Sequence, residues 1–250
     1  MFIRPNCIIL QNNYNPIYIK KEEILFSNYE IITSYDNLTI YMYPKVERTS
    51  PIEFVYHYFY DQLDINDYQN AFVVLFCGKI GEGKTTAINE FFNIIKGIDL
   101  NDNYRFILIG EKIKEGLAES QTDGIHLYYL KDNNSKPIII IDSQGYGDTR
   151  GNYYDIKIHE AFEYIFSHVI DHINTVCLVV KSQTNRIDVL TRYIHRIVTS
   201  LFSEDISENF IVLATFATKD TFINGPDFID SMKTDLNSPK HKHNKYLVCI

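Results

Sequence analysis

The sequence predicts an α/β fold: a doubly wound, mostly parallel sheet preceded by a small β-rich, mixed appendage. Two observations lead to this fold class. From residue 71 onward, β-prone apolar runs alternate with segments whose apolar residues recur at helical spacing, which is typical of parallel sheets covered by helices on both faces. Near the start of that alternation, a glycine-rich segment from Gly78 to Thr85 lies between a strand pattern and a helix pattern.

Residues 1–70 form the predicted appendage, in which we find no catalytic motif. Asn, Asp and Pro separate four short β-prone runs, at residues 7–10, 16–19, 29–33 and 38–43. Pro51 suits the first turn of a helix, so a helix is predicted after it, with one apolar face formed by Ile52, Val55, Tyr56, Phe59 and Leu63. A polar break at residues 64–70 precedes the second domain, residues 71–250.

Strands and helices alternate through residues 71–250. The predicted strands are 71–77, 125–130, 138–141, 176–181 and 210–215, and the predicted helices are 85–96, 156–173, 187–202 and 227–235. A polar turn at residues 131–137 predicts that the second and third strands form an antiparallel hairpin. The last run, residues 246–250, reads as a strand cut short, so we expect either a truncation at this end or a nucleotide pocket without the loop that normally follows the strand.

Composition narrows the classes of function. A formal net charge of −8 disfavours nonspecific nucleic-acid binding, which needs a basic surface. No run approaches 18 apolar residues and the N-terminus lacks a signal-peptide pattern, so we expect a cytoplasmic protein without a membrane span; other membrane contact stays open. The four cysteines have no metal-ligand spacing: Cys7, Cys77, Cys177 and Cys249. Cys77 and Cys177 fall in predicted strands, as expected of free thiols in a reduced intracellular protein.

The segment Gly78-Lys-Ile-Gly-Glu-Gly-Lys-Thr85 matches the P-loop pattern G-x-x-x-x-G-K-[ST]. In this arrangement backbone N–H groups of the loop and of the helix N-terminus point at phosphates. Lys84 is placed to reach the β- and γ-phosphates, and the Thr85 hydroxyl to bind Mg²⁺. The alternative is a simple glycine turn, which the flanking strand and helix disfavour. The predicted nucleotide-binding residues are Gly78, Lys79, Gly81, Glu82, Gly83, Lys84, Thr85 and Thr86.

Asp142 ends a run of four isoleucines that reads as a buried strand beside the P-loop. An Asp at that position holds Mg²⁺, usually through water, and orients Thr85. Gly145 completes a D-x-x-G pattern, whose glycine N–H can bind the γ-phosphate and lose that bond after hydrolysis. A turn is the alternative interpretation of this short pattern.

Thr122 lies in the polar segment 99–123, immediately before a predicted strand. A loop hydroxyl at this position can close over Mg²⁺ when the γ-phosphate is present. Ser120 is a nearby alternative, and an ordinary hydroxyl before a strand is the other interpretation. The predicted catalytic residues are thus Lys84, Thr122 and Gly145, and the predicted Mg²⁺ ligands are Thr85, Thr122 and Asp142.

The segment Ile141-Asp-Ser-Gln-Gly-Tyr-Gly-Asp-Thr-Arg-Gly151 resembles I-D-T-P-G-F-G-D-T-R-G, which occurs in septin-like and immunity-associated GTPases of the paraseptin group. Residues 176–186 and 201–217 also resemble that group, so the likeness covers about residues 71–220. It implies a G domain of the P-loop NTPase class that binds GTP or GDP with Mg²⁺. Because members of the group often pair through their G domains, it also implies a homodimer or oligomer.

The base-reading motif departs from the pattern. GTPases select guanine with an Asp, and relatives often carry T-F-A-D where this chain reads Thr215-Phe-Ala-Thr-Lys-Asp220. Thr218 stands where the Asp is expected, and Lys219 with Asp220 can serve only if the loop shifts; a helix cap or solvated loop is the alternative for Asp220. A lost bidentate contact costs about 1–3 kcal/mol of base discrimination.

Slow hydrolysis is expected, because Tyr146 follows Gly145 where many GTPases carry the Gln that orients the attacking water. Gln144 precedes Gly145 and is expected to point elsewhere. Arg150 or Arg186 can supply positive charge to the site, for example across a dimer, and a solvated side chain is the alternative interpretation of each. Two rival functions stay open: a nucleotide-bound scaffold that does not hydrolyse, and an ATP-binding P-loop protein.

Overall fold

The computed structural model of the chain describes residues 7–9, 26, 29–61, 65–110, 124–143, 152–182, 209–216 and 245–249. These ranges contain two α-helices, α1 (Lys84–Ile95) and α2 (Asn152–His168), and a short 3-10 helix (Ile65–Tyr68). Their strands are β1 (Cys7–Ile9), β2 (Glu30–Tyr35), β3 (Leu38–Met42), β4 (Val46–Arg48), β5 (Val55–Phe59), β6 (Phe72–Gly78), β7 (Tyr104–Ile107), β8 (Ile125–Lys131), β9 (Pro137–Ser143), β10 (Thr175–Lys181), β11 (Phe210–Thr215) and β12 (Lys245–Cys249).

The strands form two sheets. A nine-stranded sheet has the order β1-β12-β11-β10-β6-β9-β8-β5-β4, and a three-stranded sheet has the order β2-β3-β7. In the large sheet five adjacent strands run parallel to one another, β12, β11, β10, β6 and β9. Strand β5 also runs parallel to β8. The pairs β8–β9, β4–β5 and β1–β12 are antiparallel. The mostly parallel sheet expected from the sequence is confirmed.

The two described helices pack on opposite faces of the large sheet. Strand β6 alternates, so that Val73 and Leu75 face one core cluster while Val74 and Phe76 face the other. Helix α2 buries a stripe of apolar side chains in the first cluster, Ile158, Ala161, Phe162 and Ile165. Helix α1 covers the other face with Ala87, Ile88 and Phe92. Burying both faces of the central strands explains their nearly continuous apolar sequence.

The five strands predicted in residues 71–250 correspond to β6, β8, β9, β10 and β11. Each predicted first or last residue lies within two residues of the observed one. The predicted hairpin is also confirmed, because β8 and β9 pair antiparallel from Ile125 with Ser143 to Lys131 with Pro137. The helix predicted at 156–173 is shifted: α2 begins at Asn152 and ends at His168. The predicted helices 187–202 and 227–235 and the run 16–19 lie outside the described residues.

The helix predicted after Pro51 is wrong, because residues 55–59 form strand β5. Val55 and Phe59 face one core cluster and Tyr58 faces the other, so apolar residues occupy both faces of the strand. Such a run also satisfies a helical spacing, and periodicity alone cannot distinguish the two. Strands β4 and β5 therefore belong to the large sheet. The domain division at residue 70 stays a prediction.

Strand β7 lies within the segment that the sequence analysis treated as a polar loop. It pairs parallel with β3, from Thr39 with Tyr104 to Met42 with Ile107. Its other edge is satisfied by side chains of α1: Asn89 accepts from the backbone N–H groups of Leu108 and Ile109 at 2.9 and 3.1 Å. The small sheet is thereby attached directly to the helix that follows the glycine-rich loop.

Candidate functional site

The glycines of the loop adopt conformations that side chains disfavour. Gly81 and Gly83 have φ values of 77° and 86°, in the left-handed region. Gly78 ends β6 against β10, where a Cβ would lie 2.5 Å from the carbonyl oxygen of Val179. The chain can therefore turn sharply from β6 into α1 at the carboxyl end of the parallel strands, the edge at which open α/β sheets bind ligands.

The N-terminus of α1 is open to an anion. Gly83 is its N-cap, and no side chain caps this end in the described part of the chain. The first N–H groups of a helix have no partner within the helix, and the helix dipole adds partial positive charge there. Thr85 is half-buried and Thr86 exposed in this first turn. The arrangement suits a phosphate.

The Lys84 side chain folds back over the loop. Its Nζ donates to the carbonyl oxygens of Gly78 and Lys79 at 3.3 and 3.2 Å. Burial lowers the pKa of Lys84, while the negative charge of Asp142 opposes that shift. A buried ammonium with only carbonyl acceptors is stabilised further by a second anion nearby, so a phosphate in the loop would favour its charged form.

The Asp142 carboxylate is fully buried near the end of β9, where its backbone pairs with Phe76 of β6. Its Oδ1 has no hydrogen-bond partner within the described residues. Burial raises the pKa of Asp142, and the positive charge of Lys84 opposes the shift. The neighbouring Ser143 hydroxyl is used differently, since it donates to the Phe76 carbonyl at 3.1 Å. A buried carboxylate oxygen without a donor is a site that a cation can satisfy.

Asp142 and Thr85 fit the protein share of a Mg²⁺ site. Mg²⁺ bound to substrate phosphates needs only one or two protein oxygen ligands, and the remaining ligands are phosphate and water. Asp142 offers an unpaired oxygen, and Thr85 a hydroxyl in the first turn of α1. Across the residues that the structure describes, no group of three His, Cys, Asp or Glu side chains forms a metal site by itself.

The Glu82 side chain is buried and binds the backbone of the sheet. One carboxylate oxygen accepts the backbone N–H of Lys181, and the other lies 3.4 Å from Lys79 Nζ. The Glu82 carbonyl accepts a hydrogen bond from the Thr215 hydroxyl at 2.7 Å. Both contacts hold the loop against the ends of β10 and β11, so Glu82 sets the shape of the loop through its side chain.

An aromatic residue stands beside the loop at the same edge of the sheet. Phe216 is 59% exposed, and its ring comes within 3.5 Å of the position that a Cβ on Gly83 would take. Lys181 Nζ lies 5.5 Å from the centre of this ring, and the Ser182 hydroxyl donates to the Phe216 carbonyl at 3.0 Å. A flat, exposed ring at this edge is a surface on which a nucleobase can stack.

The structure places the predicted loop residues and Asp142 together, and the other predicted site residues lie outside the described part of the chain. These are Thr122, Gly145, Lys219 and Asp220, and also the alternatives and departures Ser120, Gln144, Tyr146, Arg150, Arg186 and Thr218. Sequence reasoning did not identify Thr215 and Lys181 as partners of the loop. Their position in the sequence could have identified them, because each lies at the carboxyl end of a predicted parallel strand.

No protein-family model and no curated protein matches the sequence. Solved structures similar to the chain include Toc33 from Arabidopsis thaliana with Mg²⁺ and GMPPNP, at 16% identity and a TM-score of 0.48, over 73% of this chain and 72% of Toc33. A dimerization-deficient Toc33 mutant gives 16% identity and 0.44, over 70% and 68%.

Proposed function

We propose that this chain is a Mg²⁺-dependent guanine-nucleotide-binding protein that hydrolyses GTP slowly to GDP. The observation that carries the proposal is the loop itself. It joins β6 to α1 through glycines in left-handed conformations, and the Lys84 ammonium folds over it. Beside it lies a buried Asp142 oxygen that has no hydrogen-bond partner among the described residues. The guanine preference rests on the resemblance of residues 141–151 and 176–186 to paraseptin-type GTPases.

Each predicted site residue has a part in the proposed function. N–H groups of the loop and of the first turn of α1 donate to the phosphates. Lys84 exchanges loop carbonyls for the β- and γ-phosphate oxygens, and keeps its proton because their negative charge raises its pKa. Thr85 and Asp142 hold Mg²⁺, which neutralises negative charge on the phosphates when it is bound. Thr122 and Gly145 sense the γ-phosphate, and Lys219 or Asp220 reads the base.

The same resemblance supports a nucleotide-controlled switch that works by pairing of G domains in the cytoplasm. Members of the paraseptin group often pair in this way. We expect hydrolysis on the order of 10⁻² s⁻¹ or slower without a partner, since Tyr146 takes the place of the Gln that orients water.

Calorimetry with GTP, GDP and ATP in the presence of Mg²⁺ tests the proposal. We expect GTP to bind and Lys84→Ala to weaken it at least about tenfold, because a charge-assisted contact to phosphate is lost. Lys136→Ala is the matched control, since Lys136 is an exposed lysine in the β8–β9 turn. Absence of binding by all three nucleotides, or equal affinity of the Lys84→Ala variant, would refute nucleotide binding at this loop.

A second candidate is a nucleotide-bound scaffold with weak base selection. Thr218 in place of the base-reading Asp and Tyr146 in place of the catalytic Gln favour it. Equal affinities for ATP and GTP, with no phosphate released over many hours, would establish this alternative. Tight guanine binding with multiple turnovers would exclude it.

A further inference from the structure

A cavity of about 460 Å³ lies on the α2 face of the large sheet, away from the glycine-rich loop. Ile139, one of its lining residues, pairs with Val73 at the beginning of β6, whereas the loop follows the end of that strand. The volume is within the range of about 300–1,000 Å³ that is typical of small-molecule sites. Six of the lining residues carry the inference: Arg48, His57, Phe59, Tyr68, Tyr129 and Tyr164.

Arg48 gives the cavity a positive charge. It ends β4 and is exposed, and its guanidinium carbon lies 4.2 Å from the centre of the Phe59 ring. Among the described residues it makes no ion pair, and those that line the cavity include no Asp or Glu. An arginine beside a partly enclosed aromatic surface is well suited to a carboxylate, because its fork of N–H groups can donate two parallel hydrogen bonds.

Flat aromatic surfaces form the inner part of the cavity. The rings of Phe59 and Tyr129 stack with centres 4.4 Å apart and an angle of 4° between their planes. The Tyr68 ring meets Tyr129 edge to face at 5.1 Å. Tyr164 of α2 contributes another ring to the lining. Phe59 and Tyr129 cover each other's faces, so a planar aromatic ligand in the cavity can pack against ring edges in an edge-to-face arrangement.

One polar group in the lining has unused capacity. His57 Nδ1 lies 2.9 Å from the Tyr129 hydroxyl, which can donate to it and leave the Nε2 hydrogen of the imidazole as a donor. This donor needs no ionised form to serve an anionic ligand, so the cavity combines one permanent cation with a neutral donor.

We propose that this cavity binds a small planar aromatic carboxylate of one or two rings. The Arg48 guanidinium pairs with the carboxylate, and the aromatic lining packs against the ring. A hydroxyl or carbonyl oxygen on the ligand can accept a hydrogen bond from the neutral His57 ring. This site is separate from the nucleotide site and does not depend on the proposed GTPase activity.

Fluorine NMR of the full chain tests the proposal with 4-fluorobenzoate as the probe. We expect 4-fluorobenzoate to bind with a millimolar or lower dissociation constant, as its size allows. The neutral 4-fluorobenzamide and the non-aromatic trifluoroacetate should each bind at least about fivefold more weakly, because one lacks the charge and the other the ring. No binding of 4-fluorobenzoate, or equal binding of either comparison compound, overturns the proposal.

Variants locate the probe. Arg48→Gln should weaken 4-fluorobenzoate at least about tenfold, since it removes the charge-assisted contact. Lys45→Gln is the matched control, because Lys45 lies over the Tyr58 ring at 3.8 Å, and Tyr58 belongs to the core cluster on the opposite face of the sheet. Circular dichroism confirms that both variants fold.

Lys84→Ala separates this cavity from the phosphate loop and should leave probe binding unchanged. Equal affinities of Arg48→Gln and wild type, or loss of binding in Lys84→Ala, overturn the assignment.

Discussion

The side-chain amide of Asn93 pairs with the backbone of Phe106 as a neighbouring strand would. Its nitrogen donates to the Phe106 carbonyl at 2.8 Å, and its oxygen accepts the Phe106 N–H at 2.9 Å. Asn93 lies on α1 and Phe106 on β7, so the contact attaches the three-stranded sheet to the helix that begins at the glycine-rich loop. Both residues are buried, and no water competes for these bonds.

Asn93→Asp should destabilise the protein by at least about 2 kcal/mol, because it replaces the donor to the Phe106 carbonyl with a buried oxygen. Urea unfolding measures the loss. Asn103→Asp is the matched control, since Asn103 is exposed at the start of β7 and should change stability by less than about 0.5 kcal/mol. Equal losses in the two variants would show that the amide contact does not hold the sheet.

Glu82→Ala should destabilise the protein by about 1–3 kcal/mol, because it leaves the Lys181 N–H at the end of β10 without its acceptor. Lys79→Ala removes only the partly exposed ion pair to the same carboxylate and should cost less than about 1 kcal/mol. Thermal unfolding of both variants checks the difference. A larger effect of Lys79→Ala would mean that the ion pair, and not the backbone contact, holds the loop.

Gly78→Ala should be more damaging than Gly81→Ala. At Gly78 the new Cβ would lie 2.5 Å from the Val179 carbonyl oxygen, so the backbone of β6 or β10 must shift. At Gly81 the nearest atom is Lys181 Nζ at 4.0 Å, which leaves only the left-handed strain of about 1–2 kcal/mol. Unfolding free energies of the two variants test this order, and equal losses would contradict the close approach of the strands.

Asp142→Asn should change how stability depends on pH. Burial raises the pKa of Asp142 above its ordinary value, so its stabilising contribution is complete below the unfolded pKa of about 3.9 and declines as pH rises through the folded pKa. The wild type should therefore lose stability relative to Asp142→Asn as pH rises above about 4, until the raised folded pKa of Asp142 is passed. Unfolding free energies across this range give the slope, and a slope of the opposite sign would mean that Lys84 outweighs burial.

Cys77 and Cys177 should resist alkylation in the folded protein. Both thiols are free and buried, and burial raises the pKa of Cys77 to about 12 and that of Cys177 above its usual range. The thiolate is the nucleophile, so iodoacetamide at pH 8 should modify them only after unfolding. Peptide mass spectrometry before and after denaturant provides the measurement; rapid labelling of the folded chain would place these strands at the surface.

Much of the large sheet could be predicted from sequence because its central strands have both faces buried. That burial requires the apolar runs of β6, β9 and β10, and the alternation with helices indicates parallel order. Strand β5 was mistaken for a helix for the same reason, since a run that is apolar on both faces fits either period. Strand β7 was missed because its outer edge is completed by side chains of α1 and not by another strand.

The sequence by itself determined the order of strand, glycine loop and helix, the lysine that follows the last glycine of the loop, and the aspartate near the end of β9. These follow from local chemistry: left-handed turns need glycine, and a buried strand needs apolar residues up to the point where it leaves the core. Only the tertiary structure decided that Glu82 faces the backbone of β10, that Thr215 holds the loop, and that Arg48 borders an aromatic cavity. Each of these depends on residues distant in sequence that meet only when the sheet is assembled.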